Sequence, residues 1–327
     1  MPRFTRRSLL MGAGSAALLT DGRDSACAQS AGDWPTKPIR FVVNFGTAGA
    51  TDSAARTYAE RLTRLLGQPV VVENKGGASG AIGAEAVVKS APDGYTFLVT
   101  PGLPMVTLPH LRKLSFDPLK DLTPVASIVE GLVLLATNTT VPGNTLLEFV
   151  AYAKANPGKL AWGTTGVGTY SHFVYEAFKH HAGVDILHLP YRSAGESMAA
   201  LLANVVQMVS DPAMMQHVLA GKAKLHAVLA TERRPDFPDV PMLKEVYPEI
   251  DFTAWFGILA PAGTPVAILD RLSAAINEVG AMPDVKTLLF GLALAPTLSS
   301  PESTRRLLEG DYARFARLIK QFDIRAE

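Results

Sequence analysis

The stretch FVVNFGTAGATDSAARTYAERL, residues 41–62, decides the architecture. It opens on a β-branched and aromatic run that reads as a buried strand over Ile39 to Val43. Small residues then break the pattern. An amphipathic helix follows from about Ser53, with Ala55, Tyr58, Leu62 and Leu65 on one face and a stop at Gly67. A strand, a turn and a helix in that order open an α/β fold, whose ligands bind outside the carboxyl ends of the strands. A helix mouth at that place offers unpaired amides and a dipole that favours anions. Phe45, Gly46, Thr47, Ala48, Gly49, Ala50, Thr51 and Asp52 therefore form the first candidate ligand loop. Its small residues keep side chains out of the way, and Thr47 and Thr51 add hydroxyls. The plainer reading is a turn of small residues before a helix that Thr51 or Asp52 caps.

Working outward, Val70 to Val72 is the next strand, Ile82 to Val88 a helix closed by the turn APDG, and Tyr95 to Val99 a third strand, giving βαβαβ. Strand-like segments continue in VLLATN, KLAWG, ILHLP, VVQMVS, KLHAVLA and FTAWFGILA, interleaved with helical periods such as Phe173, Ala177, Phe178 and His181. No repeat of fixed period is present. The chain has 327 residues, 48% of them hydrophobic, which is enough for two domains. Two long extended runs, LTPVASIVEGLVLLATN (122–138) and YPEIDFTAWFGILAPAGTP (247–265), admit two readings. Either both cross between lobes as paired hinge strands, or both are core strands of one larger sheet.

The amino terminus reads as an export signal, residues 1–28. Arg3, Arg6 and Arg7 precede an apolar stretch from Leu9 to Leu19, and Ala26-Cys27-Ala28 has the form of a cleavage site. The run around Arg6-Arg7 fits a twin-arginine signal as well as a Sec signal. No later stretch reaches the roughly 18 to 20 apolar residues of a transmembrane helix, so an exported, periplasmic protein is expected. Cys27 is the only cysteine, and its removal with the signal excludes disulfides, thiol nucleophiles and thiolate metal sites. Lys plus Arg number 31 and Asp plus Glu 30, so no global field draws the chain to nucleic acid or anionic lipid. A charged ligand has to be recognised locally.

A second loop repeats the first design. AWGTTGVGTYSHF, residues 161–173, again runs from a strand through glycines into a helix, with hydroxyls at Thr164, Thr165, Thr169 and Ser171 and a tight turn at Gly168. His172 lies in the helix's first turn, either as a donor to the ligand or as a packed or capping residue. A third loop, PYRSAGESM at 190–198, opens another helix and adds Tyr191, Ser193 and Ala194; its Arg192 is a carboxylate clamp or a solvated surface arginine. Asp211 ends a strand, where it either makes the turn or bonds a ligand amine or hydroxyl. Other chemistries fail on their motifs. GGASGAIG at 76–83 lacks G-x-G-x-x-G, and the loop at 163–169 lacks the Lys-Ser/Thr ending of a P-loop. His180-His181 cannot put two imidazoles on one helix face for zinc, and no G-x-S-x-G elbow supplies a nucleophile. Neither a metal nor a cofactor is expected.

Eight blocks carry a resemblance over nearly all of the chain beyond the signal: WPTKPIRFVV, GQPVVVENKGGASGAIGAEAVVKSAPDGYTFLV, LSFDPLKDLTPVASI, GTTGVGTYSHF, LPYRSAGESMAALL, RRPDFPDVPMLKEV, WFGILAPAGTP and FDIRAE. In order and spacing they resemble the Bug family, the extracytoplasmic substrate-binding receptors of tripartite tricarboxylate transporters. The resemblance implies a type II-like periplasmic binding protein with two α/β lobes joined by crossing hinge strands. Lobe 1 would take residues 29–130 and 252–327, and lobe 2 residues 131–251. It also implies a small carboxylate held by amides and hydroxyls of two opposed loops, no catalysis, a monomer, and membrane permease subunits as partners. An exported ligand-presenting sensor for a histidine kinase and a periplasmic enzyme acting on a carboxylate remain the rival classes. Two departures stand out. The family's Pro-Phe-Pro-Pro-Gly-Gly run is here Asn44 to Gly49, NFGTAG, and its third loop of Gly then Ala-Pro-Ala is here Ser193 to Ser197, SAGES. Glu196 either sits in a helix's first turn, where the dipole contributes about 0.3 to 1 kcal/mol, or points inward, where it repels a second carboxylate or pairs with an amine.

Overall fold

The computed structural model describes residues 34–47, 49–191, 194–234 and 236–325. The export signal, Ala48, Arg192 and Ser193 lie outside the described residues. Two sheets divide the chain. The first is built from β1 (Ile39–Val43), β2 (Val70–Asn74), β3 (Thr96–Pro101), β4 (Leu122–Gly131) and, much later, β10 (Ala254–Pro261) and β11 (Leu294–Pro296), in the order β11-β4-β10-β3-β1-β2. The second holds β5 (Val133–Asn138), β6 (Leu160–Thr164), β7 (Ile186–Pro190), β8 (Met208–Ser210) and β9 (Ala223–Leu229), in the order β7-β6-β8-β5-β9. β1 pairs in parallel with both β2 and β3, as the βαβαβ pattern requires.

Helices connect and cover the sheets: α1 (Ala50–Leu66), α2 (Ala81–Val88), α3 (Gly102–Leu111), α4 (Leu146–Ala155), α5 (Tyr170–Ala182), α6 (Ala194–Leu202), α7 (Met215–Leu219), α8 (Leu243–Val246), α9 (Val266–Ala281), α10 (Pro283–Phe290) and α11 (Pro301–Gln321). None of them is long and apolar enough to cross a membrane. The helix expected from about Ser53 starts three residues earlier, at Ala50, because Gly49 in extended conformation is its N-cap and no side-chain cap is made. Thr51 and Asp52 thus fall inside the first turn rather than at its mouth. Ala55, Tyr58 and Leu62 are buried, but Leu65 is 39% exposed and falls off the core face. Tyr58 Oη donates to the Ile128 carbonyl at 2.7 Å, which ties α1 to β4. Gly67, at φ 70°, ends the helix in the left-handed region open to glycine. The strand expected over VVQMVS is reduced to Met208–Ser210.

Both extended runs lie where the lobes meet. β4 belongs to the first sheet and β5 to the second, with only Leu132 between them, so the first run passes from one lobe to the other. The chain returns after β9 through 230–253, and β10 then inserts between β3 and β4. Its first residue, Ala254, pairs with Gly131, which sets the two crossings side by side. A third tie comes from the carboxyl-terminal helix. α11 packs against α3 and β4 in one lobe, and its Phe315 meets Phe173 of α5 edge to face, 4.8 Å between centroids.

Candidate functional site

Strand order places the carboxyl ends of β1, β3, β6 and β8 around one cavity of about 1260 Å³ between the lobes. Its size exceeds the roughly 300 to 1,000 Å³ of most small-molecule sites. Four helices begin at this cavity: the first residues of α1 and α6 line it, as do those of α3 and α5 with the loops before them. Each helix start leaves its first amides without intrahelical acceptors and adds a positive dipole end, so the cavity favours an anion.

The first loop contributes Phe45, Gly46, Thr47, Gly49, Ala50 and Thr51 to the lining. Asp52 does not line it. This carboxylate is buried beneath the loop, where Arg56 Nε donates to it at 3.1 Å and Asn74 Nδ2 at 2.9 Å. Asn74 Nδ2 also donates to the Phe45 carbonyl at 3.2 Å, so Asp52 and Asn74 together brace the loop from behind. Ser53 N–H closes the first helical bond onto the Gly49 carbonyl at 2.9 Å, leaving the amides of Ala50, Thr51 and Asp52 outside the intrahelical ladder.

The second loop contributes Thr165, Gly166, Val167, Gly168 and Thr169, followed by Tyr170 and Ser171 of α5. Gly49 and Gly168 thus border the same space from opposite lobes. Much of this loop's polarity is spent internally. Thr169 N–H and its hydroxyl both donate to the Gly166 carbonyl, at 3.4 and 2.7 Å. The hydroxyls of Thr165, Thr169 and Ser171 bond one another at 3.0 to 3.2 Å, and Ser171 Oγ accepts from Thr165 N–H at 2.9 Å. His172 N–H and Phe173 N–H both bond the Thr169 carbonyl, so Tyr170 and Ser171 keep the amides that α5 directs outward.

Thr164 and His172 stand behind this loop and do not line the cavity. His172 is buried, and its Nδ1 accepts from Gly168 N–H at 3.0 Å, which holds the turn at φ 75°. The ring stacks on His188 at 4.4 Å and 6°. Thr164 Oγ1 is 2.7 Å from His188 Nε2. Burial, and secondarily the neighbouring His172, pulls the His188 imidazole down to about 4, so it stacks as a neutral ring at neutral pH.

Tyr191, Ala194 and Asp211 line the cavity, whereas Glu196 is exposed and outside the lining. Sequence reasoning missed three other contributors. The Gly76–Gly80 turn, dismissed above as a nucleotide motif, forms a wall in which Gly77 and Gly80 take φ 126° and 92°. Its run of small residues was the available signal. α3 lays Leu103, Thr107, Leu108, Leu111 and Arg112 along the cavity, and Trp255, Asp311 and Phe315 reach it from the far end of the chain. Trp255 Nε1 donates to Asp311 Oδ2 at 2.8 Å, and burial raises the Asp311 carboxyl above its usual range despite that bond. No local pattern marks these residues.

Comparison with known proteins fits this geometry. The family model described as "Tripartite tricarboxylate transporter family receptor" matches residues 54–324, and the chain belongs to that family. Among its relatives, the UPF0065 protein in the gbd 5′ region of Cupriavidus necator is 37% identical over 95% of this chain and 93% of its own. Protein BugT of Bordetella pertussis is 34% identical over 89% and 91%, in keeping with the Bug resemblance. Two solved structures share the fold. R. palustris Rpa4515 with adipate has a TM-score of 0.81 at 31% identity, over 90% of this chain and 99% of that one. MatC from Rhodopseudomonas palustris with bound malate has 0.75 at 31%, over 87% and 99%.

Proposed function

We propose, with family membership as the premise, that the protein is a periplasmic receptor that captures a small carboxylate between its lobes. It delivers that acid unchanged to the permease subunits of a tripartite tricarboxylate-type transporter. The supporting observation is the single cavity bordered by the Gly49 and Gly168 loops, one from each sheet, each running into a helix start. Amides at a helix mouth bind a carboxylate without proton transfer or covalent chemistry, so nothing in the arrangement calls for turnover. The adipate and malate held by the two structural relatives agree with an acid ligand.

The hinge in this reading lies at Gly131-Leu132 and at Phe252 to Ala254, which separates lobe 1 (29–130 and 252–327) from lobe 2 (131–251). Acid entering the open cleft draws the lobes together by differential binding to the closed form, and a monomer presents that form to the permease. The mature chain, cut near Ala28, acts in the periplasm.

The test is a thermal-shift panel of mono-, di- and tricarboxylates, amino acids and aromatic acids on the purified mature chain. At a hundred times its dissociation constant the correct acid adds about 2.7 kcal/mol of stability, and it is recovered unaltered afterwards. Uptake of that acid by cells should disappear when the neighbouring permease gene is deleted. Absence of stabilisation across the whole panel refutes the reading.

A further inference from the structure

We infer that the ligand is a monocarboxylate with a bulky apolar body, of aromatic-ring size or larger. This rests on the receptor reading above and names the class of acid that the same cavity takes.

The helix amides that favour an anion make up only part of the lining. α3 lays apolar side chains along the cavity: Leu103 and Leu111 stand two i,i+4 steps apart on one face, and Leu108 is an i,i+3 neighbour of Leu111. Thr107 between them donates its hydroxyl to the Leu103 carbonyl at 3.0 Å and so has spent its proton within the helix. Lobe 2 answers with Met198 and Met215, unbranched thioether side chains that adapt to irregular apolar shapes. The Trp255 indole completes the apolar surface. A short, fully polar acid would leave this wall wet; an apolar body would cover it.

Charge in the lining points the same way. Among the described residues that border the cavity, two are acids, Asp211 and Asp311, and one is a cation, Arg112. Arg112 caps the carboxyl end of α3 and is exposed, whereas Asp311 is only 8% exposed. A second carboxylate carried towards α11 meets the buried Asp311, and Arg112, the cation among the described lining residues, stands at the solvent end of α3. The volume, about 1260 Å³, leaves room beyond a four-carbon acid.

The experiment titrates the mature chain by calorimetry with phenylacetate, 3-cyclohexylpropionate, succinate and adipate, and with phenylacetamide as the uncharged control. Leu103→Gln and Met198→Gln, both at half-buried positions, each add polarity to the wall from a different lobe. The apolar monocarboxylates are expected to bind at least tenfold tighter than either dicarboxylate, and the amide to lose at least tenfold. Either variant should weaken the apolar acids fivefold or more while leaving the melting temperature within a few degrees. Tightest binding of succinate or adipate, lost in Arg112→Gln and indifferent to both wall variants, overturns this inference and leaves the receptor reading standing. Failure of every acid here and in the wider panel overturns both.

Discussion

Gly102 begins α3 directly against the Trp255 indole, and replacing it with alanine tests how tightly the cavity wall is built. A Cβ at this position would lie 2.0 and 2.2 Å from Trp255 Cε2 and Cζ2. Carbon atoms in contact keep about 3.5 to 4.0 Å, so the ring has to retreat by roughly 1.5 Å. Alanine also favours a helix over glycine, by at most about 1 kcal/mol. Against that gain stand overpacking, about 1 to 3 kcal/mol, and strain or loss of the 2.8 Å bond from Trp255 Nε1 to the buried Asp311. A bond to a charged group of this kind contributes about 1.5 to 3 kcal/mol. The clash wins, and Gly102→Ala is expected to lose about 2 to 4 kcal/mol of stability. Urea unfolding read by far-UV circular dichroism gives the number. The indole's six-membered ring causes the clash, so in the Trp255→Phe background the same glycine change should cost less than about 1 kcal/mol. An unchanged urea midpoint for Gly102→Ala, or an equal cost in both backgrounds, refutes the reasoning.

Thr169→Val keeps the β-branched shape but loses the hydroxyl that donates to the Gly166 carbonyl at 2.7 Å and bonds Thr165 and Ser171 at 3.2 Å. Because that hydroxyl does not cap α5, the expected stability cost is only about 1 kcal/mol. The loosened loop should weaken the acid found by the panel about fivefold, measured by calorimetry; full affinity with reduced stability would assign Thr169 a structural role alone. A pH titration probes His226, which lies buried with Nε2 2.8 Å from Thr137 Oγ1 and its ring stacked on Phe149. Burial lowers its imidazole from 6.5 to about 4, so between those values the unfolded chain binds more protons than the folded one. Stability is therefore fully present above about pH 6.5 and falls as pH drops towards 4, by on the order of 3 kcal/mol from this residue. His226→Gln should flatten the urea midpoint between pH 7 and 4.5, and an identical pH profile for both proteins would contradict the assignment.

Local order determined what the sequence could disclose alone. The β-branched run of β1, the small residues behind it, the helical period of Ala55, Tyr58 and Leu62, and the stop at Gly67 are all properties of neighbours along the chain. Backbone geometry converts such patterns directly into strand, turn and helix, so βαβαβ and both glycine loops were legible. The same reasoning could not place Thr164, His172 and Asp52 behind the loops rather than in them. Which way those side chains turn depends on what waits there: His188 for Thr164, the Gly168 amide for His172, Arg56 and Asn74 for Asp52. The exit of Leu65 from the core face was likewise decided by the packing around α1. Only the tertiary structure brought Arg112, Trp255 and Asp311 to one cavity, because the insertion of β10 beside β4 and the placement of α11 against α3 join segments more than a hundred residues apart. Contacts between distant segments follow from strand order and core packing, which no short window of sequence encodes.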